Sequence, residues 1–232
     1  AVITAETANL SADTLTNSGT LYQLESEIEN AAFDVQANTL SNDGKNSIID
    51  VKNGLFNLNT LINQGLIRER EESASVADKL LLSNVTMLDN SGELILYSDL
   101  SLTGASLKNT GSEAYIRAKS LTANNLSEFS NEGKIAAEDA LTLTSEITLL
   151  NQGKLIANQF TATSQQDFIN SDLVQASEKL EINAQNITNE LSAEISTIGV
   201  DSDLKLTATN NLANDGNIAS RAGLRINAND LS

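Results

Sequence analysis

The 232-residue sequence predicts an all-β fold, a right-handed parallel β-helix, on three observations. First, Asn17, Asn42, Asn63, Asn90, Asn109, Asn131, Asn151, Asn170, Asn189 and Asn214 recur at spacings of 25, 21, 27, 19, 22, 20, 19, 19 and 25 residues. Second, each has an apolar residue two positions before it, from Leu15 through Phe129 and Phe168 to Leu212, and eight have a glycine two positions after. Third, the segments between them alternate apolar and polar residues with period two, in stretches too short and of the wrong period for helices. A unit of 19 to 27 residues repeated along the chain is the signature of a solenoid of about ten coils.

Taken in chain order, Ala1-Val2-Ile3-Thr4-Ala5 matches the segment that follows an Asn-x-Gly corner. The units opening at Asn17, Asn63 and Asn189 are long, so residues must leave the coil there. In the second of these the excess falls on Arg68, Glu69, Arg70, Glu71 and Glu72, a charged stretch expected to protrude as a loop and to be the candidate contact surface. The clearest unit runs from Asn131 to Leu149, with strands expected at Lys134–Ala137, at 141–144 and from Ile147 into Asn151. Leu155, Ala157, Phe160, Ala162 and Phe168 fill the same inward slots in the next unit. Leu180, Ile182 and Ile187 follow, then Leu204, Leu206 and Leu212, then Leu224, Ile226 and Leu231. Asp172 and Leu191 stand where glycine is expected, which predicts a local change of corner. With no cap visible at either end, residues 1–232 read as one β-helical segment of a longer array.

Stacked coils would put equivalent strands about 4.8 Å apart. Each Asn, two residues after an inward leucine, should itself point inward at a corner and bond both the corner backbone and the next Asn. The glycine two positions later fits a turn that needs positive φ. Leucine-rich repeats share the period, but they place two residues between Leu and Asn, where one stands here, and need a helical or 3₁₀ stretch. Hexapeptide helices would demand a six-residue period, which is absent.

The composition narrows the chemistry. Net charge is −17, from 14 basic and 31 acidic residues, which disfavours nucleic acid and anionic membranes as partners. No apolar run approaches the length of a membrane-spanning helix, so no membrane insertion is expected, and the body should be a soluble monomer. Without His or Cys, the common nucleophile–base pairs and most transition-metal sites are excluded, and no cofactor is expected. Carboxylate chemistry remains, so Glu138-Asp139 and Asp201-Ser202-Asp203 are the candidates for a carbohydrate-active β-helix, the alternative function. Both pairs fall at expected corners, where acidic residues are ordinary, and an aromatic content of 3% offers few platforms for sugar rings. The Asp201/Asp203 pair could hold Ca²⁺ loosely, but the glycine-rich nonapeptide calcium motif is missing.

The recurring L-x-N-x-G-x-[I/L]-x-[A/S], as in residues 149–157 and 212–220, followed by L-x-[L/I]-x-A, resembles the haemagglutinin repeats of filamentous haemagglutinin-like exoproteins. The resemblance spans essentially the whole chain. It implies a cysteine-poor β-helical filament exported across the outer membrane by a dedicated partner transporter and displayed at a bacterial surface. It further implies a structural role, in an adhesin or in a contact-dependent growth-inhibition effector, with a target-cell receptor as possible partner. Any toxic enzyme would lie outside these residues, and the segment itself is read as non-enzymatic.

Overall fold

A computed structural model of the chain describes residues 2–25, 31–70 and 79–232. Its regular elements there are all strands, with no helix. Every strand pairs in parallel with the equivalent strand one coil away, which builds a β-solenoid with three faces. In the coil that opens at Asn131, the three strands are Lys134–Ala137, Ala140–Ser145 and Leu149–Asn151. Only the third departs from the sequence expectation: Ile147 is half-buried at the corner and Leu149 is the inward residue.

Alternation puts one row of side chains from each strand inside. On the first face Ile116, Ile135, Leu155, Val174, Ile195 and Ile218 stack in register. On the second, Leu121, Leu141, Phe160, Leu180 and Leu204 do the same, and on the third Phe168, Ile187 and Leu212. Nearly all of these side chains are fully buried. Each contributes about 1.5–3 kcal/mol relative to exposure. Coils of different length stay in register because their differences are absorbed at corners, as where the pairing shifts between Ala157 and Gln159.

The ten asparagines form a continuous ladder beside this core, buried from Asn17 to Asn189. From Asn17 to Asn189, each Nδ2 donates to Oδ1 of the next Asn at 2.7–2.8 Å. All nine bonds run in one direction. The same Nδ2 groups also reach backbone carbonyls, as Asn151 does to Gly153 (2.8 Å) and to Leu173 of the following coil (3.2 Å). A buried amide is costly unless its donors and acceptors are matched, and stacking identical residues in register matches them repeatedly.

The corner glycines are explained differently from the expectation of a positive-φ turn. Gly44 and Gly111 do have φ of 89° and 94°. At Gly65, Gly92, Gly133, Gly153 and Gly216 the requirement is space: a Cβ would stand 2.0–2.3 Å from a carbonyl oxygen of the coil below. The chain must cross there with no side chain between the coils. At Leu191 the corner is longer, the leucine is exposed, and the left-handed conformation moves to Ser192 (φ 72°).

Candidate interaction edge

All three long coils lengthen one corner, that between the first and second faces, and the Asn189 coil also lengthens the corner at 190–193. Compact coils turn this corner with two residues, 138 and 139 between Lys134–Ala137 and Ala140–Ser145. The segments in the long coils are 24–32, 70–79 and 198–202, lying between Thr20–Gln23 and Phe33–Asn42, Leu66–Glu69 and Leu80–Ser83, and Glu194–Thr197 and Asp203–Asn214. The first two are separated by a single compact coil whose corner is residues 52 and 53. Exposed apolar residues gather along this edge, namely Leu24, Ile198 and Val200, with Leu55 and Leu81 in register beside it on the second face.

The expected protruding loop at residues 68–72 needs correction. Arg68 and Glu69 belong to the strand Leu66–Glu69 and are part of the wall, while Glu71 and Glu72 lie outside the described residues. The charges join the wall because partners from neighbouring coils satisfy them. Glu69 is 2% exposed, and its Oε2 accepts from the Tyr97 N–H (2.7 Å), the Ser98 N–H (2.9 Å) and the Ser98 hydroxyl (2.9 Å). Asp50, also buried, forms ion pairs with Arg68 and, at 3.0 Å, with Nε of Arg70.

Arg70 ties together the roots of two inserted segments. Its guanidinium lies 4.7 Å from the Tyr22 ring centroid, and Nη1 donates to the Tyr22 hydroxyl (3.1 Å) and to Glu25 Oε1 (2.6 Å). Nη2 donates to the Gln23 carbonyl. Gln23 in turn plugs the corner: its Nε2 donates to Asn53 Oδ1 (2.9 Å) and the Ala31 carbonyl (3.1 Å), while its Oε1 accepts from the Lys52 N–H (2.8 Å). These partners sit up to 48 residues apart in sequence, so no local motif announces them. The edge is therefore a stiff base carrying inserted segments.

Tyr22 and Tyr115 lie on the first face and Tyr97 at the corner that follows it, each with a cation over its ring. Besides Arg70 on Tyr22, Arg117 lies 4.6 Å from Tyr97 and Lys134 lies 5.2 Å from Tyr115. Burial pushes the Tyr115 hydroxyl up from its ordinary pKa, so it stays protonated at neutral pH. The carboxylate candidates are dispersed. Glu138 is exposed and ion-paired with Arg117, Asp201 is exposed at the corner, and Asp203 opens the strand Asp203–Asn214.

Haemagglutinin repeat profiles match residues 70–127, 116–190 and 157–232, which together span well over half of the chain. The chain belongs to the haemagglutinin repeat family. In this chain the repeat is a three-strand coil whose Asn ladder and space-limited glycine recur, and whose length varies at the corners, most at the one between the first and second faces. No curated protein and no solved structure matches the sequence.

Proposed function

We propose that this haemagglutinin-repeat segment is a rigid stalk of a secreted bacterial surface exoprotein, exported by an outer-membrane partner transporter, whose lengthened corner contacts a target-cell surface. The observation that carries this reading is that all three long coils lengthen the same corner, so that inserted segments recur along one edge of the body. A solenoid buries its strands coil on coil and offers recognition mainly through loops held on that scaffold. The continuous Asn ladder and apolar rows resist bending, which suits a spacer that holds an activity away from its anchor. A finer version of the proposal is that the filament projects an adhesive or toxin-delivering tip, as in contact-dependent growth inhibition.

The experiment compares binding of the labelled protein to candidate target cells with that of two variants. One carries Leu24→Ser, Ile198→Ser and Val200→Ser at the edge; the other carries Leu150→Ser and Ile169→Ser on the third face. Loss confined to the edge variant is expected. Equal binding by all three removes the edge from the contact surface, and absence of binding by the wild-type protein leaves the stalk role alone.

A further inference from the structure

Two asparagines outside the ladder share a geometry that the stalk does not require. Asn84 and Asn125 stand six residues before the ladder residues Asn90 and Asn131, at the corner between the second and third faces. Both are exposed and both adopt the left-handed conformation, with φ of 62° and 52°. In each case the next residue, Val85 or Leu126, is buried, and the one after, Thr86 or Ser127, is an exposed hydroxyl residue. Each corner is therefore an N-x-S/T tripeptide with its middle side chain anchored in the core and its two polar side chains directed to solvent.

We propose that Asn84 and Asn125 are N-glycosylation sites, and this rests on the reading of the protein as an exported surface protein. The tripeptide is the acceptor pattern for sugar on the Asn amide, and it is meaningful only on an exposed segment of a secreted chain. Position in the fold selects among the four copies in the sequence, Asn9-Leu10-Ser11, Asn84-Val85-Thr86, Asn125-Leu126-Ser127 and Asn186-Ile187-Thr188. Asn186 is half-buried and committed at both ends of its carboxamide: Nδ2 donates to Asp167 Oδ1 at 2.7 Å and Oδ1 accepts from the Asn211 N–H at 3.3 Å. Asn9 lies within the strand Ala8–Asn17, paired with Asp34, rather than at a turn. Asn125, by contrast, shows no side-chain hydrogen bond among the described residues, its backbone N–H donating to the Thr144 hydroxyl at 2.9 Å. Asn84 donates to Asn57 Oδ1 at 2.6 Å, but both side chains lie at the surface, where water can replace that bond.

The two positions are two coils apart along the stack, about 9.6 Å at 4.8 Å per coil, which leaves room for a sugar on each. In the modification, Nδ2 forms a bond to C1 of an activated sugar. The C1–oxygen bond breaks with its electrons passing to a phosphate or diphosphate leaving group, and one amide proton goes to the transferase. A sugar at Asn84 would stand beside the shallow groove lined by Asn59, Thr86, Ser101 and Thr103 and extend that polar corner outward.

The test is peptide mass spectrometry on the full-length protein recovered from the producing bacterium, with surface and intracellular fractions analysed separately. Sugar adducts are expected at Asn84 and Asn125 and not at Asn186. A single sugar indicates a nucleotide-activated donor, and an oligosaccharide indicates a lipid-linked one. Thr86→Ala should abolish the adduct at Asn84 while leaving Asn125 modified, and Ser127→Ala the reverse. Unmodified Asn84 and Asn125 peptides, in whichever fraction the protein is found, overturn the proposal. A protein confined to the cell interior refutes the export reading instead, and adducts at both sites there would still uphold the modification.

Discussion

Replacing Asn151 with alanine measures what the asparagine ladder is worth. The Asn151 side chain is fully buried; its Nδ2 donates to Gly153 O (2.8 Å), Asn170 Oδ1 (2.8 Å) and Leu173 O (3.2 Å), and its Oδ1 accepts from Asn131 Nδ2 (2.7 Å). Net hydrogen bonds are worth about 1 kcal/mol each, and a buried acceptor left without its donor costs about 1–3 kcal/mol. Asn170 Oδ1 becomes such an acceptor, whereas Asn131 Nδ2 keeps a bond to the Lys154 carbonyl (3.3 Å) and Gly153 O still accepts from the Leu173 N–H. The expected destabilisation is about 3–5 kcal/mol. Asn214, half-buried and holding two ladder contacts, gives the internal comparison: Asn214→Ala should cost about 1 kcal/mol. Guanidinium unfolding followed by far-ultraviolet circular dichroism reads both, with an unchanged slope required for the comparison. Because a solenoid couples mainly neighbouring coils, hydrogen exchange in the Asn131 and Asn170 coils should accelerate in Asn151→Ala more than exchange in distant coils. A loss below 1 kcal/mol, or one equal to that of Asn214→Ala, would refute the assignment of the ladder as a principal source of stability.

Three further outcomes follow from the geometry. Gly153→Ala places a Cβ 2.0 Å from the Gly133 carbonyl and should cost about 3 kcal/mol or more; Gly111→Ala, at φ 94° but in open space, should cost about 1–2 kcal/mol. Thermal melts that rank Gly111→Ala as the worse would show that backbone conformation, not space, dictates the glycine. Phe160→Ala removes a fully buried ring packed edge-on against Phe168 at 6.4 Å and should cost about 3–5 kcal/mol; a midpoint shift corresponding to less than 1 kcal/mol would contradict a tightly packed interior. Hydrogen bonds from Lys205 and then Lys179 hold the Glu181 carboxyl down at about 2, against an ordinary 4.5. A depressed folded value means that its stabilisation is present above the ordinary value and is lost as pH falls toward 2. Glu181→Gln should therefore lower stability at pH 7 and flatten the decline between about pH 5 and pH 2; parallel wild-type and variant curves through that window would disprove the coupling.

Much of the fold was legible because it is repetitive. Leu141, Leu143 and Leu149 could be assigned inward from one unit, and their equivalents in other units land on the same rows. The Asn-to-Asn bonds follow from the same register, since identical residues in parallel in-register strands must stack. The candidate site was far less legible. Arg68 and Glu69 read as a charged excess to be expelled, because their partners Asp50, Tyr97 and Ser98 are 18 to 29 residues away and belong to other coils. The glycine two after each Asn suggested a turn conformation, and only the distance to the carbonyl below distinguishes a need for space from a need for positive φ.

By itself the sequence determined the coil: its period, its inward residues, the polar ladder and which three units are long. These are properties of one unit repeated, encoded by side-chain alternation and spacing alone. The tertiary structure decided what the units do to each other. It gave all three long coils a lengthened corner on one edge, buried Glu69 and Asp50 among donors from neighbouring coils, and set Asn84 and Asn125 in the same exposed conformation at another corner. Such outcomes depend on contacts between residues of different coils, and no pattern within a single unit records them.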